Sequence, residues 1–314
     1  MKLLMTRKFP DANIDAAKVH FDVAVRDRDD GLTAEDAKAA LQEYDAVLAT
    51  LGDDFSAPVF DQNPRCKMIG NFGVGYNHID VEAARGAGVT VSNTPDVVTD
   101  ATADIAMTLI LSTCRRAGEG ERLVRAGKWD GWGPTFMLGT HVTGKTLGIV
   151  GMGRIGQAVA RRAHFGFEMR VRYFNRSLKT VDFPAHQVDT LEQLMRECDI
   201  IVVTVPGGGP NTKLIDRSAL DAMKPTGIFV NVARGDVVDE AALIDVLEAG
   251  QIAGAGLDVF EAEPFVPERL RALENTVLLP HLGTSALEVR EQMGQMALDN
   301  ILAWSRGETP PQLV

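Results

Sequence analysis

The chain has 314 residues, 45% of them apolar and 24% charged, and a net charge of −11 at pH 7. That length exceeds what one hydrophobic core usually organises, and the composition is that of ordinary globular domains, so two packed domains are expected. The negative balance would repel nucleic-acid phosphates and anionic lipid, and no apolar run approaches the roughly 18 residues of a membrane span, so neither partner is expected.

Residues 1–7 lack the apolar stretch and small-residue cleavage site of a secretory signal. Cys66, Cys114 and Cys198 are odd in number and widely spaced, which suits reduced, buried thiols in the cytoplasm better than a disulfide framework or a metal site. In the first hundred residues strands are predicted at 2–6, 45–49, 67–70 and 90–92, with helices at 33–43 and 81–88. Such alternation builds βαβ units on a parallel sheet. Thr33 supplies an N-cap ahead of Glu35 and Asp36, while Gly86 and Gly88 offer left-handed closing positions for the next helix. A helical pattern then runs unbroken from 100 to about 126 and gives way to a turn-rich stretch at 129–139. Strands resume at 146–150, 170–174, 199–204, 228–232, 254–258 and 276–279, enough for a doubly wound sheet in that half alone, and a last helix covers 285–306.

Leu147-Gly148-Ile149-Val150-Gly151-Met152-Gly153-Arg154-Ile155-Gly156 sets G-x-G-x-x-G between an apolar strand and a helical stretch. Gly151 permits the tight turn, Gly153 lets backbone amides approach a pyrophosphate, and Gly156 allows close helix packing. The helix N-terminus, where Arg154 and Ile155 count among the cofactor positions, adds partial positive charge. The following strand ends at Asn175-Arg176-Ser177, where an NAD site normally places a carboxylate on the ribose hydroxyls. An amide, a guanidinium and a hydroxyl there suit a 2′-phosphate, so NADP(H) is expected as the preferred cofactor, with NAD(H) an alternative.

Three ionisable residues follow predicted strands: Arg234 in Asn231-Val232-Ala233-Arg234-Gly235, Glu263 before Pro264, and His281 in Pro280-His281-Leu282-Gly283-Thr284. Ligands of open α/β sheets bind beyond the carboxyl ends of strands, so the three are predicted to converge. They match what reduction of a 2-keto acid demands: a planar cation gripping the carboxylate, a proton donor for the oxygen, and an acid–base partner for that donor. By default His20, His78, His141, His164 and His186 read as structural, and Arg115-Arg116 and Arg161-Arg162 as helix-surface charges.

With Asn71-Phe72-Gly73-Val74-Gly75-Tyr76-Asn77-His78-Ile79-Asp80, the glycine fingerprint, and the motifs carrying Arg234, Glu263 and His281 in that order, the sequence resembles the D-isomer-specific 2-hydroxyacid dehydrogenase family over nearly its whole length. The likeness is to its glyoxylate/hydroxypyruvate reductase branch. It implies two doubly wound parallel-sheet α/β domains, a Rossmann-type cofactor domain at 98–284 inserted in a flavodoxin-like substrate domain made of 1–97 and 285–314. It implies that Arg234 binds substrate, that His281 protonates the carbonyl oxygen, and that Glu263 keeps the imidazole protonated. The amides around Gly73, Val74 and Gly75 would hold the substrate carboxylate, and Leu51 would line the pocket.

Further cofactor contacts implied by the likeness are Thr102 and Ala233 near the nicotinamide, Asp258 at its carboxamide, Val205, Pro206 and Thr212 on the adenosine side, and also Val232, Arg234, His281 and Gly283. The family's usual acid after the second fingerprint strand is missing, and Thr102-Ala103-Asp104 replaces a commoner Ala-Glu-His-like run. Trp129, Trp132 and Phe136 are expected at a homodimer interface, where Trp132 or Phe136 would limit substrate size. The implied activity is NADPH-dependent reduction of glyoxylate or hydroxypyruvate. Larger acids such as phenylpyruvate or 2-ketogluconate, and a dinucleotide-gated, corepressor-like binding role, are the alternatives.

Overall fold

In residues 1–61 and 63–314, which the computed structural model describes, two sheets form and every ladder between named strands is parallel. The first contains β1 (Lys2–Met5), β2 (Asp22–Val25), β3 (Ala46–Thr50), β4 (Met68–Phe72) and β5 (Thr90–Ser92), in the order β2-β1-β3-β4-β5. That is the flavodoxin-like order. The second contains β6 (Thr146–Val150), β7 (Arg170–Phe174), β8 (Ala185–Gln187), β9 (Ile200–Val203), β10 (Ile228–Asn231), β11 (Gly254–Leu257) and β12 (Thr276–Leu278), ordered β12-β11-β10-β9-β6-β7-β8. The strand order reverses between β6 and β9, and a Rossmann-type sheet opens its ligand crevice beyond the carboxyl ends at such a switch point. The chain divides into two units, Met1–Val98 with Thr284–Val314, and Thr99–Gly283.

Strands covered on both faces carry continuous apolar runs rather than alternation, and β6, β9, β10 and β11 are buried throughout. Successive residues still point to opposite faces. Ile201, Val203 and Phe229 join Leu194, Leu243 and Val246 on one side, whereas Ile200, Val202, Ile149 and Val230 pack with Leu109 and Ile110 on the other. In the first unit, Val47 and Ile69 face Leu41 and Phe55. Leu48 and Met68 instead meet Ala297, Leu298 and Ile301 of the helix Leu287–Ser305. Gly70 is what lets that helix approach, since a Cβ there would lie 2.9 Å from Ile301 Cδ1 and 3.2 Å from the Ala297 carbonyl oxygen.

Most predicted strands appear within a residue or two of their expected bounds. Strands β2 and β8 were not expected, because partly exposed edge strands such as Ala185–Gln187 carry no continuous apolar run. The continuous helix expected from 100 to about 126 is two helices, Thr99–Cys114 and Ala117–Arg125, separated by Arg116 at a φ of 53°. The first buries Ala103, Ala106, Leu109 and Ile110, while the second buries nothing, so packing that straightens one has no hold on the other. Gly88 takes the left-handed position after Val81–Gly86, at a φ of 71°, and Gly86 stays helical. All three cysteines are buried, and burial pushes the Cys66 and Cys198 thiols up to about 12 and Cys114 to about 11. Among the described residues no helix is long and apolar enough to cross a membrane.

Candidate active site

Strand β6 runs directly into the glycine turn. Gly151 has a φ of 98°, and a Cβ there would lie 2.6 Å from Val205 Cγ1 and 2.9 Å from the Val205 amide nitrogen. At Gly156 a Cβ would sit 2.3 Å from the Gly151 carbonyl oxygen, so only glycine lets the helix Arg154–Phe167 start so close to the turn. Around Gly153 the reverse holds: nothing lies within 4 Å of a Cβ placed there, and no side chain caps the helix that begins at Arg154. Open space beside uncapped helical amides, whose aligned dipoles favour negative charge, fits the pyrophosphate of a dinucleotide. The Thr204 hydroxyl donates to the Gly151 carbonyl at 2.7 Å and secures the turn.

Asn175 proves to be a brace for this loop. Its Oδ1 accepts from the Met152 amide at 3.1 Å, its Nδ2 donates to the Ser177 carbonyl at 2.8 Å, and Gln187 Nε2 donates to the Asn175 carbonyl at 2.7 Å. Arg176 and Ser177 stand exposed beside it at the end of β7.

The second half of the site follows β10, β11 and β12. Buried Asn231 accepts from the Ala233 amide at 3.0 Å and donates to the Arg234 carbonyl at 2.9 Å, which sets the backbone from which Arg234 projects. A Cβ on Gly235 would lie 1.9 Å from the Phe260 carbonyl carbon, so this glycine alone allows the loops after β10 and β11 to lie against each other. The Glu261 amide then donates to buried Glu240 at 3.2 Å. Burial pushes the Glu240 carboxyl upward against that hydrogen bond.

Glu263 reaches His281 across these loops: its Oε2 lies 2.8 Å from His281 Nδ1, and its Oε1 accepts from the Phe260 amide at 3.0 Å. Burial works to raise the Glu263 carboxyl, but the His281 hydrogen bond and charge, the Phe260 amide and the Arg234 charge hold it below the usual carboxylate value. Burial lowers the Arg234 guanidinium against the charges of Glu263 and Asp236, and its Nη1 donates to the Ala233 carbonyl at 2.7 Å.

His281 itself has a φ of 54°, a conformation that costs a non-glycine residue energy unless its surroundings impose it. Asp258 imposes it. The Asp258 carbonyl accepts from the His281 amide at 2.9 Å, Oδ1 from Leu282 at 2.6 Å and Oδ2 from Gly283 at 2.8 Å. Burial raises this carboxyl, and the two amides oppose the shift. Thr102 Oγ1 donates to the Gly283 carbonyl at 3.3 Å, so two of the expected cofactor positions touch each other. Val232 and Ala233 are buried, Val205 is half-buried, and Pro206 and Thr212 are exposed.

The remaining expected residues belong to the other unit. The Gly73 carbonyl accepts from Asn71 Nδ2 and the Thr94 amide, that of Val74 from Asn93 Nδ2, and that of Gly75 from Asn71 Nδ2, at 2.9–3.0 Å. The turn's carbonyls are therefore pinned on the protein side. Leu51 is half-exposed above a buried carboxylate, Asp53, which accepts from Thr6, Leu32 and Thr50 at 2.6–2.9 Å. Arg7 donates to the Leu51 carbonyl at 2.8 Å. Asn231, Asp236 and Glu240 were missed as supports, although a polar residue closing an apolar strand, as Asn231 does, is a readable signal.

Residues 107–283 match the family described as D-isomer specific 2-hydroxyacid dehydrogenase, NAD binding domain. The chain is 44% identical to a glyoxylate reductase of Thermococcus onnurineus (strain NA1), across 100% of this chain and 95% of the relative. It belongs to the D-isomer specific 2-hydroxyacid dehydrogenase family. Within the family its likeness is to the glyoxylate reductase branch, and it is an oxidoreductase that uses a nicotinamide dinucleotide. The structure of an NADPH-dependent glyoxylate/hydroxypyruvate reductase of Sinorhizobium meliloti with NADP and malonate is similar, with a TM-score of 0.88 and 35% identity over 100% of this chain and 96% of that one. That of a glyoxylate reductase from Paecilomyes thermophila has a TM-score of 0.87 and 32% identity, covering 100% and 98%.

Because Glu263 is held below its ordinary value of 4.5, its pairing stabilises the folded family member fully above that pH and is lost as pH falls through the lowered value. Glu263→Gln should thus lower Tm at neutral pH, with the gap to wild type closing as pH falls below 4.5 through the lowered value. Thermal unfolding at a series of pH values checks this, and a pH-independent gap would contradict it.

Proposed function

We propose that this oxidoreductase reduces glyoxylate and hydroxypyruvate to the D-2-hydroxy acid, with NADPH preferred over NADH. The observation that carries the reading is the 2.8 Å contact between His281 Nδ1 and Glu263 Oε2, with the Arg234 charge beside it, beyond the ends of neighbouring strands. Relatives named for this activity support it. The unit Thr99–Gly283 serves as the cofactor domain and the other as the substrate domain.

The bound reduced dinucleotide supplies a hydride to the keto carbon. Arg234 offers a planar guanidinium that can donate two parallel hydrogen bonds to the substrate carboxylate and carbonyl, and partial burial strengthens that attraction. Glu263, kept anionic, accepts from Nδ1 of the imidazolium, which leaves Nε2 to deliver a proton to the oxygen as charge develops there. In the other unit, the turn around Gly73, Val74 and Gly75 has its carbonyls occupied by Asn71, Asn93 and Thr94, so its amides suit a carboxylate, with Leu51 an apolar residue of the same unit. His281→Ala should reduce kcat for glyoxylate by roughly 10²–10⁴-fold, the usual contribution of a general acid, and near-wild-type turnover would end its assignment as proton donor.

For the 2′-phosphate of NADPH, exposed Arg176 and Ser177 supply charge and a hydroxyl, and Asn175 holds the turn that presents them. Placing a carboxylate there while removing the guanidinium, in Asn175→Asp with Arg176→Ala, should swing the kcat/KM ratio toward NADH by about tenfold or more. An unchanged ratio for the two cofactors counts against the phosphate site.

The helix Ala117–Arg125 buries none of its residues, and Val124, Trp129, Trp132, Phe136 and Leu138 near it are exposed, Trp132 by 82%. Five exposed apolar side chains within fifteen residues of chain suit an association site, and we assign it to a homodimer in which Trp132 or Phe136 restricts substrate size. Light scattering at micromolar concentration should report a dimer, with Trp132→Glu shifting it toward monomer. A wild-type monomer would dismiss the assignment.

A further inference from the structure

Gly207, outside every role given so far, lies against the stem of Arg234, with Asp236 beside it. We propose that Gly207 and Asp236 form a seat that fixes the Arg234 rotamer, which makes them positioning residues for the substrate carboxylate. The proposal rests on the reading of Arg234 as the substrate's carboxylate grip. An arginine side chain carries substantial rotamer entropy, and a bidentate grip works best when that freedom is already removed.

Gly207 removes it by shape. A Cβ at this position would lie 2.7 Å from Arg234 Cγ and 2.9 Å from Arg234 Cβ, distances that real carbon atoms do not adopt. The space that a side chain at 207 would fill is therefore taken by the arginine's own stem. Contact at Cβ and Cγ constrains the first torsions, from which the direction of the whole guanidinium follows. Gly207 is not among the glycines with positive φ, so its lack of a side chain answers this contact rather than a backbone need.

Asp236 borders the same space. Its Oδ1 lies 2.8 Å from the same hypothetical Cβ, and its Oδ2 accepts from the Gly208 amide at 2.7 Å. Its carbonyl accepts from the Lys213 amide at 2.8 Å. Gly208 and Gly209 have φ values of 74° and 52°, and the run of three glycines is held at its far end by the Asn211 and Thr212 amides, which donate to the Gly208 and Gly209 carbonyls at 3.2 Å, and at its near end by Asp236. Asp236 thereby pins the glycine run against Arg234 and places a negative charge near the guanidinium, while Asn231 holds the backbone beneath.

The test compares Gly207→Ala, Asp236→Ala, Asp236→Asn and Arg234→Ala with wild type in keto-acid-dependent NADPH oxidation, with cofactor affinity measured by fluorescence. Gly207→Ala and Asp236→Ala should each raise the keto-acid KM at least tenfold, with much smaller changes in kcat and in NADPH affinity. Asp236→Asn keeps a carbonyl oxygen for the Gly208 amide and should recover most of the loss. If Arg234→Ala raises KM while Gly207→Ala and Asp236→Ala leave it alone, the seat is wrong and the carboxylate grip stands. If Arg234→Ala leaves KM alone, the grip is wrong and the seat falls with it. Equal losses of keto-acid and NADPH affinity in both seat variants would show general loop damage and also overturn the seat. Should Gly207→Ala fail to fold, the two Asp236 variants decide the matter by the same criteria.

Discussion

An imidazole hydrogen-bonded to a carboxylate can serve as an acid only if the carboxylate stays ionised and the ring stays put, and the loops after β10, β11 and β12 favour both conditions. Glu263 is only partly exposed, and burial works to raise its carboxyl toward the neutral form. The partners that keep it charged are those the chemistry needs: His281 at 2.8 Å, the Phe260 amide, and the field of Arg234. His281 is held in a left-handed backbone conformation by three hydrogen bonds to Asp258, one to its carbonyl and two, through the neighbouring Leu282 and Gly283 amides, to its carboxylate. The strain of that conformation is modest, on the order of 1–3 kcal/mol, and a buried carboxylate engaged by two amides can outweigh it.

Glycines do a comparable amount of positioning at this end of the sheet, and for distinct reasons. Gly235 is required because backbone passes where its side chain would be, which brings the Arg234 and Glu263 loops together. Gly151 and Gly156 press the fingerprint helix onto β6 and the loop after β9. Gly153 leaves open space in front of helical amides. Close contact at the first three and vacancy at the fourth distinguish packing glycines from a ligand-facing one, although a sequence shows all four by the same letter.

Charge follows a similar logic. The whole molecule is acidic, with a net charge of −11, so an anionic substrate must be drawn by local rather than global potential. The proposed grip, Arg234, is a guanidinium whose desolvation the charges of Glu263 and Asp236 oppose. Both acids also hold other partners, Glu263 the His281 ring and Asp236 the Gly208 amide.

Periodicity and motif spacing by themselves determined the two parallel sheets, the glycine turn between strand and helix, and the three strand-end residues Arg234, Glu263 and His281, because these depend on local chain order. They also carried the family likeness that the comparisons bear out. They could not show that the helix from 100 onward breaks at Arg116, since its second part makes no buried contact that sequence hydrophobicity would register. Nor could they show that Asn175 braces the fingerprint loop, that Asp258 clamps the His281 segment, or that Asn231, Asp236 and Gly207 surround Arg234. Those are hydrogen bonds and close approaches between residues brought side by side by neighbouring strands, up to 28 positions apart in the chain. Only the packed fold decides which polar atoms meet, because chain order sets what is nearby along a strand and the sheet sets what is nearby across it.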